Sequence, residues 1–124
     1  GILKYLIYAS SPLVREHKYD LMYQIGDGIR YMHRAGFIHR DVCPRNVLVD
    51  TTGTPKIIDF GLAVPRGRTE GRRDLRSGTP TYMAPEQVRG TNIDERCDIY
   101  AFGILAYEML AGRLPYADEG VSVR

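Results

Sequence analysis

The stretch from His39 to Gly61, HRDVCPRNVLVDTTGTPKIIDFG, constrains this chain more than any other. The apolar runs Val47-Leu48-Val49 and Ile57-Ile58 read as strands, and Thr52-Gly53 between them reads as a hairpin turn. Asp41, Asn46 and Asp59 then fall on two short turns at the ends of a tight strand pair. Such a pair holds polar groups at its ends in nearly fixed register, which is what a metal-and-phosphate site requires. Singly these residues say little. An Asp before Phe-Gly is usually a turn residue, a lone histidine such as His39 is more often packed than catalytic, and Arg40 alone is most often solvated or paired.

The rest of the chain reads as support. Residues 1–8 are apolar with one Lys and predict a short helix or a strand end. Ser10-Ser11-Pro12 breaks the chain, and Pro12 suits the first position of a new helix. From about Leu13 to Ala35, Leu21, Met22, Ile25, Ile29 and Met32 recur at spacings of three and four, one face of a helix that Gly36 stops. Gly26 and Gly28 inside it either lower helix propensity or let another backbone pack closely. Residues 62–83 lack periodicity and predict a long loop, which at about twenty residues is generally functional or disordered. Met83 to Arg89 predicts one helical turn, with Asn92 or Asp94 offered as N-cap to the next helix. That helix, 95–111, carries Ile99, Phe102, Ile104, Leu105, Tyr107, Met109 and Leu110 around most of its circumference and predicts burial on all sides. Gly112 ends it.

Bulk properties narrow the classes. A chain of 124 residues predicts one domain or part of one, and a first residue other than Met reads as a piece of something longer. A net charge of +2 argues against a large nucleic-acid or membrane footprint. No run approaches the roughly 18 apolar residues of a membrane span, although a longer parent could have one. Two cysteines, Cys43 and Cys97, without CxxC spacing favour neither a disulfide framework nor a zinc site, and suit the cytoplasm.

Asp59 and Asn46 supply an anionic and a neutral oxygen, the hard ligands Mg²⁺ prefers, while Asp41 would accept a hydrogen bond from a substrate hydroxyl. His39-Arg40-Asp41, Asn46, Asp59-Phe60-Gly61, Ala84-Pro85-Glu86 and Asp98-Ile-Tyr-Ala-Phe-Gly103 resemble, in order and spacing, the signatures of eukaryotic-type (Hanks-type) protein kinases. The gaps are five residues from Asp41 to Asn46, thirteen from Asn46 to Asp59 and twelve from Glu86 to Asp98. The segments GTPTYMAPEQVRG and CDIYAFGILAYEMLAGRLPY look most like bacterial serine/threonine kinases.

The resemblance implies an α+β kinase-like fold. Residues 1–124 would be a partial kinase domain: a mostly helical C-lobe portion with a catalytic-loop β-hairpin and an activation segment. It would run from just after the hinge to just after the large buried helix, with the N-lobe outside it. The implied reaction moves the ATP γ-phosphoryl group to Ser/Thr of a protein substrate. In it Asp41 is the catalytic aspartate, Asn46 and Asp59 bind Mg²⁺, and Leu48 lies under the adenine of ATP. Thr79, with Gly78, selects Ser/Thr acceptors and bonds Asp41. Phe60 and His39 stack above Asp98, and Glu86 pairs with an arginine beyond residue 124. Arg40 marks regulation by loop phosphorylation, with Thr69 and Ser77 as acceptors flanked by Arg66, Arg68, Arg72, Arg73 and Arg76; a solvated basic loop that recruits an acidic partner is the other reading.

One departure stands out. Serine/threonine kinases usually have Lys where this chain has Cys43, and losing that charge costs on the order of 10²–10³ in rate unless compensated. Arg45, placed where many tyrosine kinases carry Arg, is the expected stand-in, and Cys43 is a small buried filler or a redox-sensitive group. Arg45 also leaves a tyrosine kinase open, which Gly78-Thr79-Pro80 opposes. A pseudokinase or scaffold that binds partners without catalysis is the alternative, and these residues alone are expected to be inactive.

Overall fold

The structure, a computed structural model, describes residues 1–60, 63–65, 79–90 and 93–115. Helix α1 spans Leu3–Tyr8 and buries Leu3 and Ile7, one turn apart. The break after it is real: Ser10 takes φ 52°, and the Ser11 hydroxyl accepts the Leu13 N–H at 3.2 Å. Helix α2, Pro12–Arg34, therefore starts with Pro12 where no N–H is needed. It kinks at His17 and buries Val14, Leu21, Ile25, Ile29 and Met32, while Met22 is only half-buried. Gly36 follows at φ +96°, the left-handed stop its sequence predicts.

Two small antiparallel pairs flank α2. The hairpin joins β2 (Val47–Val49) to β3 (Pro55–Ile57) with Val47 opposite Ile57 and Val49 opposite Pro55. The second strand thus starts earlier than the Ile57-Ile58 pattern predicts. The cause is the turn, where Asp50 Oδ1 accepts the N–H groups of Thr52 and Thr54, each at 2.9 Å, and Gly53 takes φ +85°. Ile58 lies past the strand but still donates its N–H to the Asn46 carbonyl at 2.8 Å. The other pair, β1 (Phe37–Ile38) with β4 (Val64–Pro65), corrects the expectation of an unstructured 62–83 loop, as does a 3₁₀ turn at Pro80–Tyr82. Residues 61–62 and 66–78 of that loop lie outside the described residues.

Helix α3 spans Pro85–Arg89 and stops at Gly90, φ +72°. Helix α4, Arg96–Ala111, buries Cys97, Asp98, Ala101, Ile104, Leu105, Glu108 and Met109 and stops at Gly112. The N-cap residue is Glu95 rather than the expected Asp94, which stands one residue earlier and accepts the Arg96 N–H at 2.9 Å; Asn92 is not among the described residues. Burial on all sides is overturned: Ile99, Tyr107 and Leu110 are 54%, 40% and 47% exposed. An apolar circumference sets what a helix can bury, but α4 turns only one face to α2 and the 80–82 turn. The close approach at Gly26 and Gly28 is by side chains and not by backbone. A Cβ at Gly26 would meet the Phe102 ring at 3.3 Å, and one at Gly28 would meet Ile57 Cδ1 at 3.5 Å. No helix among the described residues is long and apolar enough to cross a membrane.

One polar knot lies within this core. Glu108, 1% exposed, accepts the Tyr82 hydroxyl on Oε1 and the Tyr8 hydroxyl on Oε2, tying α4 to the 80–82 turn and to α1. Burial first, and then the Glu108 carboxylate, push both phenols above the ordinary tyrosine range. A raised folded-state value means the stabilisation is present below the ordinary tyrosine pKa of about 10 and lost as pH rises beyond it. Tyr82→Phe leaves a buried carboxylate one donor short and is expected to cost the full-length gene product about 1–3 kcal/mol, read by urea denaturation.

Candidate active site

The site is seated on the start of α4. Asp98, fully buried, accepts the backbone N–H of His39 on Oδ2 at 2.8 Å and that of Arg40 on Oδ1 at 2.9 Å. His33 Nε2 lies 2.8 Å from the same Oδ2. These bonds hold Arg40 at φ 73°, a left-handed conformation that costs a non-glycine residue about 1–2 kcal/mol. Asp59 takes φ 62°, so two of the three non-glycine residues with positive φ among the described residues belong to the predicted site.

His39 links the two turns. Its Nδ1 accepts the Asp41 N–H at 3.0 Å, so the ring proton sits on Nε2 and is donated to the Ile58 carbonyl at 3.0 Å. The Phe60 ring meets His39 edge-on at 5.0 Å and stays 54% exposed. The predicted stacking is therefore a T-shaped contact, the arrangement aromatic quadrupoles favour.

Asp41 is held at both carboxylate oxygens. Oδ1 accepts the Thr79 N–H at 3.0 Å and the Thr79 hydroxyl at 2.7 Å. Oδ2 accepts Asn46 Nδ2 at 3.1 Å, and the same Nδ2 donates to the Asp41 carbonyl at 2.9 Å. With its nitrogen committed, Asn46 has Oδ1 left for a cation. Asp59, exposed, follows directly on Ile58, whose N–H bonds the Asn46 carbonyl. One carboxylate and one amide oxygen fit Mg²⁺, which keeps most of its waters. Leu48, at the middle of β2, is 37% exposed and bridged to Ile2.

Arg45 reaches the same cluster: its Nη2 donates to Thr79 Oγ1 at 3.0 Å. Cys43 is 1% exposed, with Sγ 3.7 Å from Thr79 Oγ1. Burial, and then the charge of Asp41, push its thiol up and keep it protonated, which fits a packing group better than a redox-sensitive one. The charge of Glu86 adds to that of Asp94, the nearer partner, in raising the Arg96 guanidinium. Arg40 is 2% exposed. Gly61, Thr69, Ser77, Gly78 and the loop arginines lie outside the described residues. Three polar partners carry no motif in the sequence: His33, which is half-buried, and the buried Gln87 and Glu108; the advance signal for Glu108 was a carboxylate among apolar helix residues, since buried charge demands partners.

Residues 1–123 match the protein kinase domain as a family. The chain belongs to the protein kinase domain family. It is 37% identical over 123 residues to the serine/threonine-protein kinase Pkn1 of Myxococcus xanthus, covering 94% of this chain and 18% of that protein. It is 40% identical over 124 residues to the serine/threonine-protein kinase drp72 of Corynebacterium efficiens, covering 95% and 23%. Against the serine/threonine-protein kinase PknL of Mycobacterium tuberculosis it is 36% identical over 129 residues, covering 99% and 31%. This kinase chain thus spans less than a third of the length of these bacterial relatives.

Proposed function

We propose that the chain supplies the catalytic-loop half of a serine/threonine protein kinase, a C-lobe portion that moves the ATP γ-phosphoryl group to a protein hydroxyl. The observation that carries this reading is the Asp41 carboxylate, pinned by Thr79 on Oδ1 and by Asn46 on Oδ2. A carboxylate so fixed can accept a hydrogen bond from an incoming hydroxyl and hold it in line, the main help that phosphoryl transfer needs. Asn46 Oδ1 and Asp59 would hold Mg²⁺, which when bound neutralises charge on the phosphates. Leu48 offers an apolar bed for the adenine. Thr79, already bonded to Asp41, stands where the acceptor side chain must pass and sets the choice of Ser/Thr. Arg45 replaces the charge that Cys43 cannot provide.

The full-length gene product, given radiolabelled ATP, Mg²⁺ and a general protein substrate, is expected to label serine and threonine. Absence of transfer by that protein would leave the pseudokinase or scaffold reading, which Cys43 favours. Residues 1–124 alone are expected to show none. Phosphate on the 62–83 segment, at Thr69 or Ser77, would be drawn to Arg40 and the loop arginines and order the segment. Mass spectrometry of the active protein is expected to find it there, and a segment free of phosphate would remove the switch.

A further inference from the structure

We propose that Gln87 is a positioning residue whose buried side-chain amide sets the orientation of the peptide that carries Asp41. The proposal rests on the reading of Asp41 given above.

Gln87 is the third residue of α3 and is 1% exposed. Its Nε2 donates to the Arg40 carbonyl at 3.1 Å, and its Oε1 accepts the Ala84 N–H at 3.2 Å. The Arg40 carbonyl can only accept and the Ala84 N–H can only donate, so one orientation of the amide serves both. The Arg40 carbonyl and the Asp41 N–H belong to one planar peptide. Gln87 holds that plane at its oxygen, and His39 Nδ1 holds it at its N–H, at 3.0 Å. On the other side of the Arg40 Cα, Asp98 holds the Arg40 N–H at 2.9 Å. This restraint is needed because Arg40, at φ 73°, sits where a non-glycine backbone does not rest unaided. Once the plane is fixed, the Asp41 N and Cα are fixed with it, and Thr79 and Asn46 hold the side chain that leaves from there.

The contact also joins two parts of the site. Helix α3 follows the 80–82 turn, which directly follows Thr79. Gln87 therefore ties the segment that supplies Thr79 to the loop that supplies Asp41. Glutamate at 87 keeps the shape but, when ionised, has no proton for the Arg40 carbonyl. Methionine keeps the length and offers neither group.

The test uses the full-length gene product with Gln87→Glu and Gln87→Met, and reads amide hydrogen exchange together with phosphotransfer. Exchange in peptides covering 39–46 is expected to speed up at least about tenfold in both variants, as a lost local restraint should. The kcat is expected to fall roughly ten- to a hundred-fold, with KM for ATP nearly unchanged, because misplacing a reacting group costs rate more than binding. The Gln87→Glu deficit should narrow from about pH 8 to about pH 6, as a buried carboxyl regains its proton and can donate, while the Gln87→Met deficit should not. Should Gln87→Met not fold, Gln87→Glu carries the test. Unchanged exchange in 39–46, or a normal kcat per folded molecule, overturns the proposal. If the wild-type protein transfers no phosphate, the reading of Asp41 fails, and the exchange arm alone still decides whether Gln87 holds the peptide.

Discussion

Asp41→Asn in the full-length gene product is expected to slow phosphotransfer by roughly 10²–10⁴-fold, the contribution of a positioned general base. Two losses combine. The neutral amide cannot take a proton from the acceptor hydroxyl. It also cannot satisfy its neighbours, because every group aimed at the carboxylate is a donor: Thr79 N–H and O–H on Oδ1, Asn46 Nδ2 on Oδ2. An asparagine must turn its own NH₂ toward one of them. The Thr79 hydroxyl can rotate to accept, but its N–H and Asn46 Nδ2 cannot, so the side chain is expected to leave the position from which it would orient a hydroxyl. ATP binding, which this reading assigns to Leu48 and the metal ligands, should change little. Single-turnover transfer together with equilibrium ATP titration separates the two effects, and a variant within tenfold of wild type would mean that transfer does not use a carboxylate at 41.

The parts of the fold legible in advance are those specified locally. Ser11-Pro12 and Gly36 bound α2 because a hydroxyl cap, a residue without N–H and a residue tolerant of positive φ each act on their own turn. The hairpin was legible from its apolar runs and Thr52-Gly53, but its register was not, since Asp50 closes the turn and draws Pro55 into the ladder. The pairing of Phe37–Ile38 with Val64–Pro65 was illegible because two residues carry no period, and what fixes them is tertiary. The exposure of Ile99, Tyr107 and Leu110 was illegible for a related reason: composition states that a surface is apolar, not which neighbour covers it. Within the site, Asp41 and Asn46 stand out on the hairpin and Thr79 follows only from the family resemblance, and the three meet. Gln87 was not named, because a glutamine is an ordinary surface residue until a carbonyl and an N–H are brought to either side of it.

Arg45→Ala is expected to lower kcat by roughly 10²–10³-fold, the cost of removing one charge-stabilising donor from a phosphoryl-transfer site. The position that usually supplies this charge holds Cys43, buried at 1% exposure and kept protonated by burial and by Asp41. A neutral thiol cannot stabilise a transferring phosphate. Arg45 is exposed and permanently charged, and its Nη2 reaches Thr79 Oγ1 at 3.0 Å, while that hydroxyl donates to Asp41 Oδ1 at 2.7 Å. The guanidinium is thus one hydroxyl away from the carboxylate that would orient the acceptor. Arg45→Lys keeps the charge but loses the planar fork, so a loss nearer roughly tenfold is expected. Cys43→Lys alone should be neutral or activating, and in the Arg45→Ala background it should recover much of the lost rate. That rescue separates a charge required at this place from a guanidinium that only packs on Thr79. Wild-type rates in Arg45→Ala would sink the substitution idea and leave the missing charge to a residue outside this cluster.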